Sequence, residues 1–386
     1  MTEQYVFDIL RASLLGDEEI SIQEWEPIFL EMKKQAVAAL PGEWLKNHLP
    51  SASSWLSFCL LQQRNWIRVM HGQSQILTLF ESHHIPCVII KGAAAAIYYP
   101  HPCLRTMGDV DVLVKRADLD KAATLLEQNG FCLNRDKDHV GHHYNYIKDD
   151  IIFELHKRLP IIDDSNEKLL KQFEDGIDKR EWHTTENYRF PVLPPLLNGL
   201  VLIFHIDQHL REGLGLRQII DWMMYVNSLS SNTWEELLPL LQTNGVEKLA
   251  LTVTMMCQKY FGLRPIVEDE SLPTEKLMTY IMEKGNFGRK AGLKGKTATF
   301  SLFLTEKGGF FIRLQKGGLN QWKAAKKYRF LRPFAWIYQS FRILHILFST
   351  HTSLKEILEQ RRKGVDQRYL IDALGLKVEK TIREMD

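Results

Sequence analysis

Cysteine is scarce and unpatterned: five residues, at 59, 87, 103, 132 and 257, form no CxxC pair and no ladder of spacings. They read as free thiols in a reducing compartment rather than a disulfide framework. Long apolar runs are missing too. No segment reaches the ~18 uninterrupted apolar residues of a membrane helix, and the nearest, "FAWIYQSFRILHILF", is broken by Arg342 and His345. The start, "MTEQYVFDILRASLLGDEE", is acidic and lacks the basic opening and apolar run of a secretory signal. A soluble cytoplasmic protein with no membrane span is expected. HExxH and the RRM, KH and zinc signatures are also lacking. The net charge is only +2, so any electrostatic specialisation has to lie in how the charge is distributed.

What is present is enough apolar material for a substantial core, 45% of 386 residues, in a chain long enough for two or three domains. Residues 1–82 read as a helical region, with apolar positions spaced by three and four in "EWEPIFLEMKKQAVAAL" and again from "SSWLSFCLL" onward. The texture then changes. "IPCVIIKG" reads as a buried strand entering a turn, "AAAAIYY" as a short helix, and "DVDVLV" as a strand. "RADLDKAATLLEQNG" reads as an amphipathic helix stopping at Asn129-Gly130, and "HHYNYI", "KDD", "IIFELHKRL" as strand, turn and strand. Residues 83–163 therefore form a small α/β unit with a mixed sheet, and 164–386 a mainly helical region. The fold class is α+β.

The chemistry concentrates in "RTMGDVDVLV". In an extended chain Asp109 and Asp111 share a face, with Val110, Val112 and Val114 on the other. Two bare carboxylates side by side repel, and a divalent cation removes the conflict. A third acid on a neighbouring strand would complete such a site. Glu154 in "IIFELHK" alternates with the apolar Ile151, Phe153 and Leu155, and shares a face with His156. Upstream, "IIKGAAAAIYY" ends a strand at Gly92 and opens a helix, a turn suited to phosphate. Lys91 or Arg105 would pair with phosphate oxygens, Arg105 through its fork.

Together, "KGAAAAIYYPHPCLRTMGDVDVLV…FELH" resembles the DNA polymerase β-like nucleotidyltransferase superfamily. It is closer still to a branch of uncharacterised bacterial nucleotidyltransferases. The segment "LIFHIDQHLREGLGLRQIIDW" matches that branch through His205, His209, Arg217 and Asp221. The resemblance implies a small mixed sheet flanked by helices. It also implies transfer of a nucleoside monophosphate from an NTP, with Mg²⁺ or Mn²⁺ as cofactor and release of pyrophosphate. Asp109, Asp111 and Glu154 would be the catalytic and metal-holding acids. Lys91, Gly92, Ala93, Arg105 and His156 would contact nucleotide or phosphate. The superfamily's usual Gly-Ser or Gly-Gly pair is Gly92-Ala93 here, which removes a hydroxyl.

Other features have plainer readings. His205 and His209, four apart, suit structural hydrogen bonding, and Arg217 and Asp221 suit an intrahelical ion pair that braces the helical region against the sheet. His142 and His143 precede the Glu154 strand, where one of them could face the same cleft. Residues 284–342 hold fourteen Lys/Arg and the single acid Glu306, together with many aromatics, which suits a polyanionic partner. The acceptor (small molecule, protein or RNA) is open. Two alternatives stand beside the transferase: a catalytically degenerate nucleotide-binding module, and a toxin-like or RNA-modifying transferase that holds RNA through the basic tail.

Overall fold

The computed structural model describes residues 2–16, 20–22, 24–50, 53–134, 143–286, 310–349 and 365–376. The chain divides into two compact units, 1–291 and 292–386. In the first, α1 (Thr2–Leu15), α2 (Glu26–Lys34), α3 (Gly42–Leu45) and α4 (Ser54–Ser82) precede β1 (Cys87–Ile90) and α5 (Gly92–Ala96). Then come β2 (Asp109–Val114), α6 (Leu119–Gln128), β3 (Cys132–Leu133), β4 (His143–Lys148), β5 (Ile151–His156) and α7 (Glu167–Asp178). After β6 (Glu181–Thr185) and β7 (Tyr188–Val192) the unit closes with α8 (Pro195–Glu212), α9 (Leu216–Ser228), α10 (Ser231–Thr243), α11 (Glu247–Phe261) and α12 (Thr274–Lys284).

The strands make one mixed sheet in the order β3-β4-β5-β2-β1-β7-β6. β1 and β2 are antiparallel, while β2 and β5 run parallel. Between β4 and β5, Asp149 and Asp150 both take positive φ, 51° and 57°. That is the signature of a two-residue turn that matches strand twist. The valines of β2 enter a core with Phe153 and Leu155 of β5, Ala122 and Leu126 of α6, and Trp66, Met70 and Phe80 of α4. α4 is capped by Ser53, whose hydroxyl accepts from the Leu56 N–H at 3.3 Å. It crosses the sheet very closely: a Cβ at Gly72 would lie 2.7 Å from Ile151 Cδ1 and 3.1 Å from Phe153 Cζ. With α4 and α6 packed on this face, the aspartates of β2 are directed to the other.

The sheet does not stop at residue 163. β6 and β7 form an antiparallel hairpin, and β7 lies parallel to β1, with Ile89 opposite Val192. The sequence conceals them for physical reasons. "EWHTT" is an edge strand with mostly exposed or half-exposed side chains, so it carries no apolar alternation. Pro191 interrupts the pattern of β7. In the second unit the described residues include helices Phe310–Gln321, Lys323–Lys327 and Ala335–Ser349, with a 3₁₀ turn over Arg329–Phe334. No helix among the described residues is long and apolar enough to cross a membrane.

Candidate active site

The register of three central strands assembles the acidic face. Asp111 lies opposite Ile90 on β1 and Glu154 on β5, and Asp109, two residues earlier, lies opposite Ile152. Leu113 is opposite His156, and on the other side of β5 Asn145 faces Glu154 and His143 faces His156. Lys91, directly after β1, donates from Nζ to Asp111 Oδ1 at 2.9 Å. His156 Nε2 reaches the same oxygen at 2.9 Å and Glu154 Oε2 at 3.3 Å. Asn145 Nδ2 donates to His143 Nε2 at 2.9 Å.

Lys91 is held in this place by an unusual backbone, φ 53° and ψ −132°. A residue with a side chain in that region costs about 1–3 kcal/mol. The same turn continues through Gly92, with φ +20°. Gly92 and Ala93 are buried, and the helix they open spans only five residues.

Charge in the pocket is unevenly settled. Asp111 is buried, which by itself would raise its pKa, but Lys91 and His156 outweigh burial and hold it well below the usual carboxylate range. Burial works against the charged forms of Lys91 and His156 as well. Asp111 and Glu154 reverse this, so both cations titrate above their ordinary values. Glu154 is likewise lowered despite burial, chiefly by the hydrogen bond from His156. Asp109 is the exception. Burial first, then Asp111 and Glu154, push it up to about 6, against the pull of Lys91 and Arg217. The protein's own cations therefore balance Asp111 and leave acid in excess at Asp109. His143, by contrast, is pushed down to about 4 by burial and by His156. Its Glu154 neighbour lies 3.9 Å away. Among the described residues, His143, Glu154 and His156 form a group whose ligand atoms all lie within 4.8 Å of one another, a possible metal-binding cluster. His142 lies outside the described residues.

The helices α8 and α9 wall the same side. Arg105, expected at phosphate, is instead buried and bidentate to Asp221 of α9, through Nε to Oδ1 and Nη2 to Oδ2, both at 2.7 Å. Tyr99 Oη donates to Asp221 Oδ1 at 2.7 Å. Asp221 thus makes its bidentate pair with Arg105, at longer range than expected, while its charge still acts on Arg217 in the same helix. Both Asp221 oxygens are engaged by the loop before β2, which ties the helical region to the strand that carries the acids. Arg217 reaches the Thr106 carbonyl at 3.5 Å, and its charge is felt at Asp109. Asn198 of α8 donates to the Ala94 carbonyl of α5 at 3.2 Å. His205 and His209 hydrogen-bond each other, Nε2 to Nε2, at 2.8 Å. Burial holds His205 well below the usual histidine range and brings His209 down to about 3.

Asn145 has no signature in the sequence; only strand register brings it to Glu154. Arg217 was legible as a charged residue on a helix but not as a charge felt at Asp109, because an interaction between residues 108 positions apart depends on how α9 packs.

Residues 23–262, well over half the chain, match the family described as uncharacterised nucleotidyltransferase. A search of curated proteins finds no match. Among solved structures, the chain is similar to an antigenic nucleotidyltransferase-like protein from Paracoccidioides brasiliensis, at 16% identity and a TM-score of 0.30, over 51% of this chain and 96% of that one. On the extent of the family match, which takes in the whole acidic face and the α8–α9 wall, this chain belongs to the uncharacterised nucleotidyltransferase family.

Proposed function

We propose that the chain transfers a nucleoside monophosphate from an NTP to an acceptor hydroxyl or phosphate, releasing pyrophosphate. The observation that carries this reading is the register: Asp109, Asp111 and Glu154 on adjacent parallel strands, on the face away from the valine core. Three carboxylates gathered there, with Asp109 raised to about 6 by burial and then by the other two, suit a hard divalent cation with oxygen ligands. Asp109, Asp111 and Glu154 would hold Mg²⁺ or Mn²⁺, which when bound neutralises phosphate charge and supports the in-line displacement. His143 and His156, beside Glu154, orient its carboxylate.

The chain's own groups account for the rest. Lys91 is placed by its strained turn to meet phosphate oxygens once it is released from Asp111, and His156 keeps Asp111 ionised meanwhile. The Gly92-Ala93 turn brings backbone close to the phosphates. Arg105 belongs to the brace, so Arg217 takes the outer phosphate charge. Glu154, half-buried and ionised, takes the acceptor's proton. The acceptor oxygen bonds to the α-phosphorus, the bond to the β-phosphate oxygen breaks, and pyrophosphate leaves with that electron pair.

A degenerate nucleotide-binding module is the second reading. Asp111 already has two cationic partners on one oxygen, and Ala93 offers no hydroxyl. Incubation with α-labelled NTPs, Mg²⁺ and a mixture of small molecules, RNA and protein separates the readings. Label in any acceptor supports transfer, and label in RNA alone makes it an RNA-modifying enzyme. NTP–Mg²⁺ binding with no incorporation overturns the transferase in favour of the module.

A further inference from the structure

Beside the three acids, β4 and β5 gather a second kind of donor. Strand register sets His143 opposite His156 and Asn145 opposite Glu154. The two imidazole rings lie 4.9 Å apart, centroid to centroid, and one ligand atom from each of His143, Glu154 and His156 falls within 4.8 Å of the others. The histidines flank both oxygens of the glutamate: His143 Nε2 is 3.9 Å from Glu154 Oε1, and His156 Nε2 is 3.3 Å from Oε2. Ligands set tetrahedrally at about 2.0–2.2 Å from a zinc ion stand roughly 3.3–3.6 Å from one another. Both measured separations fall within a few tenths of an ångström of that spacing.

The nitrogens suit a metal. Asn145 Nδ2 donates to His143 Nε2 at 2.9 Å, so that nitrogen presents a lone pair. His156 Nε2 lies between Asp111 Oδ1, at 2.9 Å, and Glu154 Oε2, so it carries a hydrogen there. A metal ion would take the place of that hydrogen, which leaves to solvent as a proton. Asn145 adds an independent sign. It is only 3% exposed, and its Oδ1 has no hydrogen-bond partner among the described residues. A buried amide oxygen left in that state marks a place for an ion or its bound water. His143 and Glu154 are half-buried, so the cluster is not sealed from solvent. Mg²⁺ binds through oxygen and keeps much of its water, whereas imidazole suits zinc and its neighbours in the first transition row. We propose that His143, Glu154 and His156 form a second cation site, for a first-row transition ion such as Zn²⁺, next to the Mg²⁺ or Mn²⁺ site of the aspartates. It deepens the transferase reading and rests on that reading only for the shared Glu154. Three protein ligands, rather than the four of a structural zinc site, leave one position for water or an acceptor oxygen.

Calorimetric titration of Zn²⁺ into the full chain, with no NTP present, tests this. A single tight equivalent is expected, retained in a large excess of Mg²⁺. His143→Ala should weaken it about 100-fold or more, beyond what loss of an outer partner costs. Asp109→Asn should leave it unchanged, although the same variant should abolish nucleotidyl transfer. Unchanged circular dichroism spectra would establish that both variants fold. Pulsed electron paramagnetic resonance of Cu²⁺ bound to the unaltered chain needs no variant, and should show coupling to imidazole nitrogen from both histidines. The absence of tight Zn²⁺ binding overturns the proposal whether or not label is transferred from an NTP. Zn²⁺ binding indifferent to His143→Ala overturns it too, and places the ion elsewhere, the His205–His209 pair included. Binding lost equally in Asp109→Asn would overturn it by showing that the aspartates hold the ion.

Discussion

The Arg105–Asp221 pair meets both carboxylate oxygens at 2.7 Å and adds the Tyr99 hydroxyl, whereas the Lys91–Asp111 pair places one ammonium 2.9 Å from an oxygen that His156 also reaches. Both pairs are buried. The first is saturated by a planar fork and a tyrosine hydroxyl on both carboxylate oxygens. The second sits among surplus carboxylates, on a strained backbone, with a point charge that can move. Burial of an ion pair therefore does not by itself mark a functional site. What separates a brace from a pocket is whether the charges around the pair are already satisfied.

Breaking each pair should expose that difference. The largest effect is expected from Asp109→Asn or Asp111→Asn, which should lower label transfer by about 10²- to 10³-fold or more. Asp109→Asn should leave the melting temperature unchanged or raised, since it removes an acid that its neighbours disfavour; parallel rate and thermal-melt measurements check both. Asp221→Asn should act the other way round. It leaves Arg105 buried without its carboxylate and should cost about 3–5 kcal/mol of stability by denaturant titration. A milder probe of the same brace is Arg105→Lys, which keeps the charge and loses the fork, at a cost of about 1–2 kcal/mol.

A last difference shows only as pH changes. His209 is held down to about 3 from an ordinary 6.5, so the unfolded chain binds a proton there that the folded chain refuses. Stability is then full above pH 6.5 and declines as pH falls toward 3, by at most about 1.4 kcal/mol per pH unit for each such proton. His209→Gln should flatten that slope in urea titrations taken at successive pH values. An unaltered slope would mean the histidine pair does not carry it.

Much of the central sheet was legible because each part of it has a local cause. The valines of β2 alternate with its aspartates, Glu154 alternates with Phe153 and Leu155, and Asn129-Gly130 closes α6. The fold class and the family followed from those residues. The hairpin β6–β7 did not, because an exposed edge strand and Pro191 carry no alternating pattern. Arg105 illustrates a different gap. Its residue type and place before the acids suit a phosphate, but Asp221, 116 residues on, takes its fork, and only tertiary packing decides which anion it meets. His143 and Asn145 reach Glu154 through strand register, which spacing within one segment does not encode.

The central claim is that Asp109, Asp111 and Glu154 hold a divalent cation together with an NTP. Electron paramagnetic resonance of free Mn²⁺, titrated with protein in the presence of NTP, tests it most directly. The expected result is a bound fraction for the unaltered chain that Asp109→Asn reduces about tenfold or more while the melting temperature holds. Equal Mn²⁺ binding by the two proteins would contradict the assignment of the acidic face as the metal and nucleotide site.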